Sequence, residues 1–384
     1  MDRDDRIRAA VRAAVPEPLR RRSRRHLLPL YQRTIRELHE LGYLFLELTH
    51  RCNLDCLHCG SDCQASSTDP DLPRDDLLRV LGEIAEKYDP HKITVVLSGG
   101  EPLCYPRVFD LGAELHRLGF PWGMVTNGWA WDEAAFARAR AAHMASVTVS
   151  LDGLEAEHDW LRNRPGSWQR ATATIRRLAA DRFVQVMDAI TCVNQRSFDT
   201  LDDIYQLVGE LGLTRWRLFT ISPIGRATQR PELFLSPAQY RALMARILAW
   251  RERGGLQVDL SESGYLGPCL ENRVRGHDYF CSAGIRVGGV MVNGDILACP
   301  NIDRRFRQGN IHRDSFVDVW EHRFQAFRDR SWTRTGRCGA CDQWAWCQGN
   351  GMHLWDLDRH EPRLCHYQDF GLRDFDETRE RSGT

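Results

Sequence analysis

Lysine is nearly absent from this chain: Lys87 and Lys92 are the only two among 52 basic residues, and the rest are arginine. A GC-rich coding sequence accounts for that bias, and no chemistry rests on it. Net charge is absent as well, because 52 acidic residues balance the 52 basic ones. Proteins that bind nucleic acid by neutralising phosphates carry a basic surplus, so the balance argues against that partner. The basic run Arg20 to Arg25 then reads as a solvated helix face or loose arm. Long apolar runs are missing too. Stretches such as Tyr43 to Leu46 and Ile93 to Leu97 are far too short to cross a bilayer. Met1 to Arg12 alternates Asp and Arg and lacks the apolar centre of a signal peptide. These absences predict a cytoplasmic protein with no membrane partner. At 384 residues, 42% hydrophobic and 27% charged, the chain can bury a sizeable core and is not disordered as a whole.

What the chain does have is cysteine, 13 in all. In a reducing compartment so many thiols are not a disulfide framework, and clustered ones point to metal.

Four regions are expected. Residues 1–42 are polar, Arg-rich and helical in pattern. From Tyr43 short apolar runs alternate with amphipathic stretches, which predicts repeated β-α units on a parallel sheet. Strands are expected near 43–49, 92–98, 122–126, 146–151, 184–193 and 215–221. Helices are expected near 74–88, 106–118, 132–142, 168–181, 199–211 and 236–253. Six units over 43–255 predict an α/β fold, either a partial barrel or an open parallel sheet, short of the full eight strands. After Gly254-Gly255 the rhythm breaks. Residues 256–370 are rich in Cys, Gly and Trp, with a hairpin signal at Asn293-Gly294. The regular apolar pattern there is too sparse for a core of its own, which predicts that bound metal holds the region together. Residues 371–384 form a charged tail.

The first cysteine cluster, Cys52-x-x-x-Cys56-x-x-Cys59, follows directly on the first strand. A lone Cys-x-x-Cys would suit a zinc site or a redox pair equally well. Three thiols at this spacing can hold an iron–sulfur cluster from one loop, and a four-iron cube with three protein ligands keeps one iron open. The loop resembles that of radical S-adenosylmethionine (SAM) enzymes. The resemblance implies that Cys52, Cys56 and Cys59 carry a [4Fe–4S] cluster whose open iron chelates SAM. It also implies reductive cleavage of SAM to methionine and a 5′-deoxyadenosyl radical, with an external donor such as ferredoxin or flavodoxin.

Further matches fall at strand ends, where such sheets bind ligands. Gly99-Gly100-Glu101 follows the second strand. Glycines admit a ligand close to the backbone and a carboxylate suits an ammonium, and the resemblance gives these three residues the SAM amino group. Asn127 closes the third strand and Ser150 the fourth, with Arg162 after it. By the resemblance Ser150 and Arg162 help to hold the SAM carboxylate or ribose, and Asn127 joins the cofactor-binding set. Pro223 to Arg226 resembles the adenosine-side segment.

The C-terminal cysteines resemble the SPASM extension of radical SAM enzymes that modify peptides and proteins. By that likeness Cys338, Cys341, Cys347 and Cys365 hold an outer auxiliary cluster, and Cys281 and Cys299 belong to an inner one. Gly351 stands where the family often has a further cysteine. Cys269 is expected to complete a set of three, with His353 as a possible non-cysteine ligand, so one or two auxiliary clusters are implied. Taken alone, the C-terminal set suits zinc and iron–sulfur about equally.

Cys63, Cys104 and Cys192 fall outside both sets, with apolar packing the default and hydrogen-atom donation a sharper role for Cys104 or Cys192. The expected activity is radical modification of a ribosomally made peptide. The short region before the barrel leaves room for a separate leader-binding protein. The alternatives are the same chemistry on a sugar or nucleoside, and a non-catalytic iron–sulfur electron carrier or interaction protein.

Overall fold

The computed structural model describes residues 17–261 and 264–373. Met1 to Arg12 and most of the charged tail lie outside the described residues. The chain opens with helix α1 (Glu17–Leu38) and enters strand β1 (Tyr43–Glu47). Six further strand-forming runs follow, each joined to the next across a helix. They are β2 (Thr94–Ser98), β3 (Trp122–Thr126), β4 (Ser146–Ser150), β5 (Val186–Val193), β6 (Arg215–Thr220) and β7 (Gln257–Leu260). The connecting helices are α2 (Arg74–Lys87), α3 (Val108–Arg117), α4 (Glu133–Ala141), α5 (Glu155–Arg162), α6 (Ser167–Asp181), α7 (Leu201–Glu210) and α8 (Pro237–Arg253). All neighbours from β1 to β7 pair in parallel. Their C-terminal ends therefore lie on one edge, where open α/β sheets present their ligand sites.

The helices pack by shape as much as by hydrophobicity. Gly112 on α3 has no side chain because a Cβ would lie 2.3 Å from the Trp122 ring. That ring is fully buried and its indole N–H donates to the Ala142 carbonyl at 2.9 Å. Trp216 and Trp250 pack with centroids 5.3 Å apart and donate to Thr191 and Asp202. Each of these three indoles thus keeps a hydrogen-bond partner. Helix α8 starts on a Ser236–Gln239 capping box with Pro237 at its first position.

The sheet does not stop at residue 255. Strand β7 extends it beyond β6. After the short helix α9 (Glu271–Val274), strand β8 (Val287–Val290) pairs in parallel with β1 on the other side. The expected hairpin forms between β8 and β9 (Asp295–Leu297), with Gly294 at φ +82°, and β10 (Gly309–Asn310) pairs with β9. The result is a ten-stranded sheet in the order β10-β9-β8-β1-β2-β3-β4-β5-β6-β7.

The C-terminal region also shares the core of the barrel. Phe316, Trp320, Phe324 and Phe327 are fully buried there and join one apolar core with the barrel helices and strands. Trp320 stacks on His39 at 4.3 Å and donates to the His39 carbonyl. The apolar residues are there, but they face the barrel, so they show no separate periodicity. Among the described residues no helix is long and apolar enough to cross a membrane.

Candidate active site

The cysteine loop runs from the end of β1 across the C-terminal edge of the sheet. It is held by backbone pairing to the segment after β2: Gly100 N–H donates to the Thr49 carbonyl at 2.7 Å and Glu101 N–H to the Arg51 carbonyl at 3.0 Å. This contact explains the two glycines. A Cβ at Gly100 would lie 2.2 Å from the Arg51 oxygen, and one at Gly99, with φ +131°, would lie 2.4 Å from the Thr49 oxygen. Gly100→Ala is therefore expected to push the loop off the sheet, at a cost of about 1–3 kcal/mol. Lower iron content after reconstitution and a lower melting temperature would register it; a variant with full iron would refute the packing account.

The loop gathers its thiols. Cys52 and Cys56 form a buried group with Leu54 and Cys63, and Cys59 and Trp129 pack against it. Burial pushes the Cys52 thiol up to about 12 and raises Cys56 as well, so neither ionises in the bare pocket at neutral pH. Cys59 is drawn down to about 6, first by its hydrogen bond with Cys63. Two sulfurs face nitrogen donors on other elements. Asn127 Nδ2 lies 3.8 Å from Cys52 Sγ, and Arg162 Nη1 lies 3.6 Å from Cys56 Sγ. Buried thiols that need a cation to hold them as thiolates, with N–H groups aimed at their sulfurs, fit an iron–sulfur cluster.

Glu101 is 1% exposed. It accepts from Thr126 Oγ1 at 2.7 Å and from Asn127 N–H at 2.8 Å, tying the end of β2 to that of β3. Burial outweighs these bonds and lifts its carboxyl to about 7. An ammonium ion beside it would favour the ionised form. Asn127 serves the loop directly: its side chain also donates to Asn53 Oδ1 at 2.7 Å and accepts from Trp129 N–H. Ser150 is buried at the end of β4.

Arg162 pairs within the chain. The carboxylate it holds is that of Asp152, which is fully buried. Burial, the largest influence, would raise the Asp152 carboxyl; Arg162 leads the neighbours, the Cys192 N–H among them, that together outweigh it and lower it. Asp152 also accepts from Cys192 N–H at 2.9 Å, while its own N–H donates to His158 Nδ1 at 3.0 Å. His58, inside the cysteine loop, and His158 are both held near 4 by burial and so stay neutral. Ligand atoms of His58, Asp152 and Cys192 lie within 4.8 Å of one another. Asp152 and His158 are not among the site residues expected from the sequence. The available signal was an acidic residue closing β4 ten positions before an arginine.

The loop after β6 clamps the cysteines from the far side. Gly225, at φ +55°, sits against the Cys59 and Gly60 carbonyls, and Arg226 N–H donates to Cys59 O at 3.0 Å. An open cleft of about 730 Å³ lies here, lined by Asp62, Gly225, Arg226, Gln229 and Arg230. A second, of about 430 Å³, is lined by Leu57, Trp160, Arg164 and Arg230 among others. Cys104 is half-buried, and its carbonyl accepts from Arg51 at 3.0 Å. Cys192 is half-buried at the end of β5.

In the C-terminal region Cys338, Cys341, Cys347 and Cys365 influence one another electrostatically, as a gathered set does. Burial leads in raising Cys338 to about 12 and Cys365 to about 11, and neighbouring thiols add to it. Cys347 is raised as well, by burial and by Cys365, Cys338 and Cys341. Cys299 is raised to about 11 by burial, with Cys281 nearby. Burial, the largest influence, would raise Cys281, but Arg330 and the backbone N–H groups of Met352 and Ala283 together lower it. Cys269 is 3% exposed in the turn before α9. Gly351 opens the turn that carries His353 and offers no ligand atom from a side chain.

Two family profiles match the chain: the radical SAM superfamily over residues 46–208, and SPASM, an iron–sulfur cluster-binding domain, over 281–342. An AdoMet-dependent heme synthase of Methanosarcina barkeri is 28% identical over 320 residues, 79% of this chain and 89% of the relative. The mycofactocin maturase MftC of Mycobacterium ulcerans is 30% identical over 315 residues, 80% and 81% of the two chains. The crystal structure of Streptococcus suis SuiB bound to precursor peptide SuiA superposes with a TM-score of 0.68 at 18% identity, covering 92% and 82%.

Proposed function

Since the chain belongs to the radical SAM superfamily and carries its SPASM extension, we propose that it is a radical SAM enzyme acting on a peptide, with Cys52, Cys56 and Cys59 as ligands of the SAM cluster. The observation that carries the peptide reading is the 30% identity to a maturase across four-fifths of both chains. The shared fold adds that a precursor peptide has room on such a scaffold, as SuiB holds one. When bound, the cluster and SAM supply the electron and the 5′-deoxyadenosyl radical that removes a carbon-bound hydrogen.

The chain's own residues hold and shield this chemistry. Cys52, Cys56 and Cys59 leave one iron position without a protein ligand. The Gly99–Glu101 segment offers carbonyl oxygens and the buried Glu101 carboxylate, whose Oε2, accepting from Asn127 N–H, keeps a second lone pair for the SAM ammonium. Asn127 and Arg162 direct N–H groups at ligand sulfurs. Asp152 fixes Arg162 in place, and Ser150 stands buried at the end of β4. Cys338, Cys341, Cys347 and Cys365 hold an auxiliary cluster. Cys281 and Cys299, with Cys269, serve an inner one. The electron comes from an external carrier of the ferredoxin or flavodoxin kind. Thirteen free thiols suit the reducing cytoplasm.

A small-molecule substrate is the second reading, favoured by the 28% identity with a heme synthase. Reconstituted, reduced protein given SAM separates the two. The expected result is 5′-deoxyadenosine formed when a precursor peptide is supplied, with a mass change in that peptide. Stimulation by a tetrapyrrole and not by the peptide would overturn the peptide reading in favour of the second.

A further inference from the structure

The barrel sheet packs its helices on one face and leaves the other half-open. Along β6 the side chains alternate. Trp216 and Leu218 are fully buried, and Trp216 packs against Tyr205 of α7 and Trp250 of α8. Arg217, between them, therefore points to the opposite, concave face. Strand β6 lies between β5 and β7, yet the Arg217 side chain is 32% exposed. Strand β2 repeats the pattern, with Val95 and Leu97 buried and Thr94, Val96 and Ser98 half-buried. The concave face thus borders open space.

Arg217 is fixed in that space along one edge. Its Nη2 donates to Thr148 Oγ1 on β4 at 2.6 Å and to Asp188 Oδ1 on β5 at 2.9 Å. Its Nε lies 2.8 Å from Asp188 Oδ2. Thr148 and Asp188 are both buried, so three neighbouring strands build the arrangement. Among the described residues Nη1 makes no hydrogen bond, and it carries two further N–H donors. Asp188 already balances the charge of the guanidinium. The open edge therefore lacks an acceptor, not a counter-ion, and a second carboxylate there would be repelled by Asp188. A neutral carbonyl oxygen meets the need. The position also suits a substrate. Ser150 stands two residues beyond Thr148 on the same face of β4, about 7 Å nearer the edge that the cysteine loop crosses.

We propose that Arg217, held by Asp188 and Thr148, is a substrate subsite: its Nη1 edge donates to an amide carbonyl oxygen of the peptide and so fixes which carbon-bound hydrogen is presented to the SAM end of the sheet. The proposal rests on the reading of a peptide substrate.

The experiment compares reconstituted full-chain wild type, Arg217→Met, and Arg217→Met combined with Asp188→Asn. The combined variant leaves no stranded carboxylate, so it keeps the test open where the single variant fails to fold. Each receives an iron assay, and 5′-deoxyadenosine and modified peptide are followed over a titration of the precursor peptide, synthesised with a free and with an amidated C-terminus. The expected result is full iron in the combined variant. Its half-saturating peptide concentration rises about ten- to a hundredfold, the loss of one charge-assisted hydrogen bond, and less of its 5′-deoxyadenosine is matched by modified peptide. Wild type should take both peptides equally well. An unchanged half-saturating concentration overturns the proposal, and so does iron loss from the combined variant, which would make the pair part of the scaffold. Weak use of the amidated peptide by wild type, matched to the loss in the variant, overturns the carbonyl assignment in favour of a carboxylate. Wild type that modifies no peptide refutes the peptide reading itself, and the proposal falls with it.

Discussion

Replacing Cys56 with alanine is expected to remove about four iron atoms per chain and to bring 5′-deoxyadenosine formation down to background. The thiol is buried and sits between Cys52 and Cys59 in the loop, with Arg162 Nη1 at 3.6 Å from its sulfur. Two remaining thiols cannot hold three irons of a cube while keeping the fourth open. The fold should survive, because alanine removes one atom and Arg162 keeps its Asp152 partner. The distant set of Cys338, Cys341, Cys347 and Cys365 should retain its own iron. Iron and sulfide assays beside chromatography of the SAM products check both halves. Full iron with normal turnover would remove Cys56 from the ligand set.

The second large effect concerns the buried pair Arg162–Asp152. Arg162→Met is expected to cost about 3–5 kcal/mol of stability, because the Asp152 carboxylate would be left charged in a fully buried position. Its other partners, Cys192 N–H and His158, carry no full positive charge, since burial keeps His158 neutral near physiological pH. Adding Asp152→Asn to the same chain removes the stranded charge, so the double variant should recover much of the loss. Such recovery is the mark of a coupled pair. SAM turnover should stay low in the double variant, because Arg162 also faces Cys56 Sγ. Thermal melts of the three proteins check the stability term. A single variant within about 1 kcal/mol of wild type would fall in the range of an exposed pair and sink this account, as would a double variant no better than the single.

The sequence carried the strands and helices that run along the chain with a clean period. Strands β3, β4 and β6 sit where the apolar runs place them, since each is a short buried run bounded by turn residues. Helix α5 was not expected. It is only eight residues, Glu155–Arg162, and it buries His158 and Arg162 beside Leu161, so its inward face does not look apolar. Strands β7 and β8 were also missed as parts of the barrel sheet. Strand β7 is four residues long, and β8 joins the sheet through β1, about 240 residues earlier in the chain.

The candidate site divides in the same way. Cys52, Cys56 and Cys59 were legible because one loop contains all three, and their spacing is itself the chemical signal. The carboxylate that Arg162 holds was not legible. Its choice of Asp152 depends on how the end of β4 meets α5, and no spacing states which of two charges a guanidinium will take. Cys63 looked like a leftover thiol, because its place in the buried group with Cys52 and Cys56 depends on a left-handed turn at Asp62 and on Arg226, some 160 residues away.

Local spacing thus determined the cluster loop, the β-α rhythm and the class of chemistry, since these are encoded within a few turns of chain. Only the tertiary structure decided which donors face which sulfurs, what neutralises the buried Asp152, and where the C-terminal strands join. Those outcomes depend on contacts between distant segments, and burial gives such contacts their energetic weight.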